Sequence, residues 1–83
     1  MKILYFAWVK EKIGHVEEDI PIPPEVTDIA RLIRYLCTRT TGHATAFSDL
    51  SMIQAAINQE RVGFDHPIDP TDEVAFFPPM TGG

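Results

Sequence analysis

The two segments richest in strand-forming residues lie at opposite ends of this 83-residue chain, with an amphipathic helical pattern between them. Ile3-Leu4-Tyr5-Phe6-Ala7-Trp8-Val9 is β-branched and aromatic, and continuous rather than alternating, which is the pattern of a strand buried on both faces. Glu73-Val74-Ala75-Phe76-Phe77 is the other such segment. Both belong in the centre of one sheet. Because one opens the chain and the other closes it, a parallel central pair with the helix packed across it is the economical topology.

Composition sets the outer limits. A chain of this length forms one domain, since a second would fall below the roughly 40–50 residues needed to enclose a core. Hydrophobic residues make up 45% and charged residues 23%, an ordinary globular balance. No apolar run approaches the ~18–20 residues of a membrane span, and Met1-Lys2-Ile3-Leu4 runs directly into strand pattern, so neither a membrane anchor nor a signal peptide is expected. Cys37 stands alone, which excludes an internal disulfide framework and a cysteine-rich zinc site. A cytoplasmic location is the default expectation. Seven Lys and Arg against twelve Asp and Glu give a net charge of −5, with Lys2, Lys10 and Lys12 all near the start and the arginines scattered. The basic patch of a nucleic-acid binder is missing, and an acidic surface suits a basic protein partner better.

Between the ends, Gly14 reads as a turn and His15 to Ile22 as a more exposed second strand, forming a hairpin with the first and ended by Pro23-Pro24. The clearest helix follows. Thr27 is its expected N-cap, Asp28 suits the positive end of the dipole, and Ile29, Leu32, Ile33, Leu36 and Cys37 form one apolar stripe. Cys37 on that stripe reads as core filler. Thr40-Thr41-Gly42 is expected to stop the helix, and His43 to Leu50 to form a short helical turn. Met52 to Ile57 reads as a third strand, Asn58 to Arg61 as a turn and Val62-Gly63-Phe64 as a short strand. Asp65-His66-Pro67 and Asp69 to Asp72 are turn chemistry. The order β-β-α-β-β, with a short extra strand or two, gives an α+β fold of the β-grasp (ubiquitin-like) type. Its mixed sheet carries one main helix.

The body of the domain offers little chemistry. His15, His43 and His66 fall in turn or loop regions at no metal-ligand spacing and read as surface residues. No phosphate-binding glycine loop and no nucleophile motif around Ser48 or Ser51 is present. The C-terminal segment differs. A strand runs into Pro78-Pro79, which favour extended geometry, and then into Met80-Thr81-Gly82-Gly83. Residues 1–79 are thus expected to form the domain and residues 80–83 a projecting tail. From Pro78 onward the reach is roughly 20 Å at ~3.3 Å per residue. Two glycines without side chains suit a channel barely wider than a backbone. Taken alone, Gly-Gly fits a frayed end as well as a functional tip.

The string Asp72-Glu73-Val74-Ala75-Phe76-Phe77-Pro78-Pro79-Met80-Thr81-Gly82-Gly83 points further. Together with Lys2-Ile3-Leu4-Tyr5-Phe6-Ala7 and Ile57-Asn58-Gln59-Glu60, it resembles the MoaD family, the small subunits of molybdopterin synthase. The resemblance covers essentially the whole chain. It departs at Asp69-Pro70-Thr71-Asp72, where the family commonly has a glycine, and at Met80-Thr81, where valine with serine or alanine is commoner. It implies that the Gly83 carboxylate, a poor electrophile when ionised, is adenylated by an E1-like enzyme using Mg-ATP. A persulfide sulfur donor then converts it to a thiocarboxylate.

By the same resemblance, the chain binds no cofactor and is non-catalytic by itself. It inserts its tail into the synthase large subunit, in a heterotetramer, and delivers sulfur to cyclic pyranopterin monophosphate, building the dithiolene that later holds molybdenum or tungsten. Tethering raises the effective concentration of the sulfur in that pocket. Gly83 is then the covalent site and Gly82 permits threading, while Phe77, Pro78, Pro79, Met80 and Thr81 meet the partner. Alternation places Phe76 in the core and Phe77 at the interface. The alternatives are a sulfur carrier for thiamine thiazole synthesis, a ubiquitin-like protein modifier joined to lysines through Gly83, and a plain interaction domain.

Overall fold

The computed structural model describes residues 1–79. Five strands form one sheet: β1 (Lys2–Tyr5), β2 (Glu17–Asp19), β3 (Gln54–Ile57), β4 (Glu60–Val62) and β5 (Glu73–Phe77), in the order β2-β1-β5-β3-β4. β1 and β5 are parallel and central, as their hydrophobicity requires; every other pair is antiparallel. Three helices accompany the sheet: α1 (Ala7–Ile13), α2 (Ile29–Cys37) and α3 (Thr41–Ala46). Ile3, Tyr5, Val74 and Phe76 of the central strands meet Ile29, Leu32, Ile33 and Leu36 of α2 in one core, completed by Val9, Ile13 and Phe47.

The expected first hairpin is corrected here. β1 stops at Tyr5, and Trp8 and Val9 belong to α1, so a helix rather than a turn joins β1 to β2. A helix wins because Val9 and Ile13, four residues apart, both turn into the core. Gly14 closes it in the left-handed region (φ 89°), donating its N–H to the Lys10 carbonyl at 2.8 Å. The order of elements is therefore βαβααβββ, and β2 pairs over three residues only.

Smaller corrections follow from side-chain hydrogen bonding. Asp28, not Thr27, caps α2, its carboxylate accepting the Arg31 N–H at 2.8 Å. An ionised carboxylate is the stronger acceptor at a helix start. α2 ends at Cys37, and Thr40, expected within a stop signal, instead caps α3. Met52 lies in a 3₁₀ turn (Leu50–Met52) before β3. Glu60 and Arg61 are paired in β4, because Asn58 and Gln59 alone make the turn, both at positive φ (50° and 73°). β5 spans the expected residues.

Candidate functional site

The end of the sheet at which β5 finishes gathers the features that bear on function. β5 is hydrogen-bonded on both sides up to this point: Tyr5 pairs with Phe76, and Gln54 with Phe77. The Phe6 N–H donates to the Phe76 carbonyl at 3.1 Å. Pro78 and Pro79 follow at once and offer no N–H, so pairing on both flanks ends within two residues. Phe76 is fully buried, and Phe77, Pro78 and Pro79 are half-exposed. The inward and outward placements expected for Phe76 and Phe77 agree with this register. Met80, Thr81, Gly82 and Gly83, the rest of the expected site, lie outside the described residues.

Four exposed large apolar residues lie at the same end of the sheet, among them Phe6, expected within a strand buried on both faces, and Met52, expected to open the third strand. Phe6 (49% exposed) follows β1, and Val16 (63%) precedes β2, its carbonyl accepting the Tyr5 N–H. Leu50 (41%) and Met52 (44%) sit in the 3₁₀ turn that feeds β3 opposite Phe77. By sheet register they lie at the strand ends on the same side of the molecule as Phe77. The sheet face that Phe77 shares is apolar at its centre. One cross-sheet row runs Glu17, Leu4, Ala75, Ala56, Arg61, so charge is confined to its two ends. Periodicity of β1 and β5 alone could have flagged the row, but the four flanking residues are brought together only by sheet register.

Beneath the exit lies a polar cluster in which buried Tyr5 and His43 meet a half-buried Glu18. Ile3 pairs with Glu18, so alternation sends Glu17 and Asp19 outward and Glu18 inward toward the helices. The Glu18 Oε2 accepts the Tyr5 hydroxyl at 2.7 Å and the His43 Nε2–H at 2.8 Å. His43, expected at the surface, is 1% exposed, its Nδ1 lying 2.7 Å from the Thr40 Oγ1. Of the three histidines expected at the surface, only His15 and His66 are exposed. The histidine moved inward because α3, capped by Thr40, turns its ring toward Glu18.

Burial would raise the Glu18 pKa, but hydrogen bonds from Tyr5 and His43, with the charges of His43 and His15, hold it below the ordinary glutamate value. Burial, and then the Glu18 carboxylate, push the Tyr5 phenol far above its usual range. Burial likewise raises the Cys37 thiol, in keeping with core filler rather than a reactive group. Among the described residues, no three His, Cys, Asp or Glu side chains are placed to hold a metal, and no helix is long and apolar enough to cross a membrane.

A mixed five-stranded sheet with parallel first and last strands and a helix across it defines the β-grasp class. Among solved structures, small archaeal modifier protein 1 of Haloferax volcanii has the same fold: TM-score 0.73 at 20% identity, over 96% of this chain and 97% of that one. A Pyrococcus furiosus structure, provisionally described as molybdopterin converting factor subunit 1, superposes with TM-score 0.76 at 28% identity, over 95% of each chain. Residues 3–83 match the model of the ThiS family, and the chain belongs to that family. It is similar to the molybdopterin synthase sulfur carrier subunit of Escherichia coli, 37% identical over 83 residues, all of this chain and 99% of that one. The Dictyostelium discoideum protein of the same description is 37% identical over 84 residues, 99% of this chain and 94% of its own.

Proposed function

We propose that the chain is the sulfur-carrier subunit of a molybdopterin synthase, with Gly83 as its C-terminal residue and reactive group. The observation that carries this reading is the exit of β5: a strand paired on both flanks, ended by two prolines and bordered by Phe6, Val16, Leu50 and Met52. A chain leaving there departs from a strand paired on both sides. The apolar surface beside it suits a partner that receives the tip. The full-length relatives described as sulfur carrier subunits support this reading.

In this reading an E1-like enzyme, using Mg-ATP, forms a mixed anhydride between the Gly83 carboxylate and AMP. A persulfide sulfur displaces AMP, and reductive cleavage of the sulfur–sulfur bond leaves the thiocarboxylate. The large synthase subunit seats Phe77, Pro78, Pro79, Met80 and Thr81 and admits Gly82 and Gly83 to its pocket. There the thiocarboxylate sulfur attacks cyclic pyranopterin monophosphate, and water cleaves the resulting acyl–sulfur bond, leaving the sulfur on the pterin and returning the Gly83 carboxylate. In this reading the domain supplies no catalytic side chain; it binds the large subunit, whose pocket orients the tip and excludes water.

Intact-mass spectrometry of the chain isolated with its activating enzyme tests this directly. The expected product is a chain with one oxygen replaced by sulfur, localised to Gly83. Species of higher mass joined to lysine through Gly83 would show a protein modifier instead, and an unmodified terminus throughout would leave only an interaction domain.

A further inference from the structure

The Glu18 side chain, 15% exposed, turns in toward α3 although β2 is an edge strand. Even partial removal of a carboxylate from water is costly, and an apolar residue at this position would pack against Tyr5 without that cost. What Glu18 adds is direction. It ties the Tyr5 hydroxyl and His43 to one oxygen, and no buried side-chain nitrogen or oxygen among the described residues lacks a partner. The Tyr5 ring so held lies stacked on Phe76, with centroids 6.4 Å apart and planes 15° apart. Its edge meets His43 at 6.0 Å. Phe47 closes on Phe76 from the side, at 5.0 Å and 74°.

The backbone at the same place is a clamp. The Tyr5 N–H is held by the Val16 carbonyl at 2.9 Å, and the next N–H, of Phe6, holds the Phe76 carbonyl at 3.1 Å. The Phe6–Phe76 bond comes one residue before Phe77 and two before the first proline. β2 contributes only three paired residues, so its ladder alone is a weak brace for this clamp. The Tyr5–Glu18 bond crosses from β1 to β2 and braces it from below.

We propose that Glu18 is a positioning residue for sulfur delivery: by holding the Tyr5 hydroxyl it fixes the Tyr5–Phe6 peptide, which fixes where the chain leaves β5. The role rests on the sulfur-carrier reading. A tail whose root is fixed loses less freedom on entering a pocket, so loosening the root weakens productive docking rather than the chemical step.

Two variants test it. Tyr5→Phe deletes one hydroxyl and leaves both the ring stack and the Glu18–His43 bond; Glu18→Gln removes the charge at constant shape. Native-state hydrogen exchange is read at the Phe6 and Val74 amides, and steady-state kinetics use the thiocarboxylated full chain with the large subunit. In both variants Phe6 should exchange about tenfold faster relative to Val74. KM should rise about three- to tenfold with kcat at saturation unchanged. Phe6 exchange that rises only in step with Val74 would mean a merely structural bond and overturn the role. An unchanged KM despite a loosened Phe6 would overturn it as well. If the native thiocarboxylated chain delivers no sulfur at all, the carrier reading fails and takes the positioning role with it, a result distinct from either.

Discussion

Glu18 and Gly42 are residues whose importance comes from what faces them. Three acids in a row, Glu17-Glu18-Asp19, look alike in sequence, yet only Glu18 points inward, because Ile3 opposite it does. Its pKa is held below the ordinary 4.5. A folded value below the unfolded one means a stabilising contribution fully present above 4.5 and lost as pH falls through the lower folded value. The unfolding free energy of the native chain should therefore exceed that of Glu18→Gln at neutral pH, with the gap closing in acid; a gap independent of pH would contradict the assignment. Gly42 read as a helix stop, but it is a contact. A Cβ there would lie 2.7 Å from the Lys12 backbone carbonyl of α1, and backbone cannot swing aside. Gly42→Ala should cost on the order of 1–3 kcal/mol as α1 and α3 move apart. A urea midpoint lowered at unchanged slope would show it. His43 was illegible for a related reason: nothing near it in sequence announces a carboxylate 25 residues away.

Elements with a single strong periodicity were readable, and those with two competing ones were not. The α2 stripe of Ile29, Leu32, Ile33 and Leu36 is buried as its spacing requires, and β5 alternates as expected. In the opening segment a strand-forming run overlaps a short helical pattern. There the Val9 and Ile13 pair, the lysines Lys10 and Lys12 and the closing Gly14 were the signal of α1. The cap of α2 gives a prediction at this scale. Asp28→Ala removes both the bond from the Arg31 N–H and the guanidinium contact at 2.7 Å, and should cost about 1 kcal/mol in thermal or urea unfolding. At the exit of β5, Phe77→Ala removes a half-exposed ring from the apolar face while leaving Phe76 in the core. Affinity for the large subunit should fall about tenfold with stability nearly unchanged; equal affinity would remove Phe77 from the interface.

At the scale of the whole molecule, the proposed function assigns the domain the task of presenting its last residue to a partner. The proposed division of labour makes a sharp forecast. Removing Gly83 should abolish sulfur transfer while leaving the fold and most of the binding to the large subunit intact, measured by circular dichroism and calorimetry. Transfer that survives the deletion would exclude the terminal mechanism. The net charge of −5 makes that association depend on salt if the partner surface is basic, and a binding constant indifferent to ionic strength would place the affinity in apolar contacts such as Phe77 instead.

What the sequence determined by itself was local or end-to-end: the α2 stripe, the strand-forming β5, the pairing of first and last strands, and the Phe-Phe-Pro-Pro to Gly-Gly string. These are legible because hydrophobic period and proline chemistry act within a few residues. What only the tertiary structure decided was convergence. The register of β1 against β2 turned Glu18 inward, α3 carried His43 to it, and sheet order set Phe6, Val16, Leu50 and Met52 around one exit. Residues so far apart in the chain acquire a shared environment only through the packing that joins them, and no short-range pattern encodes it.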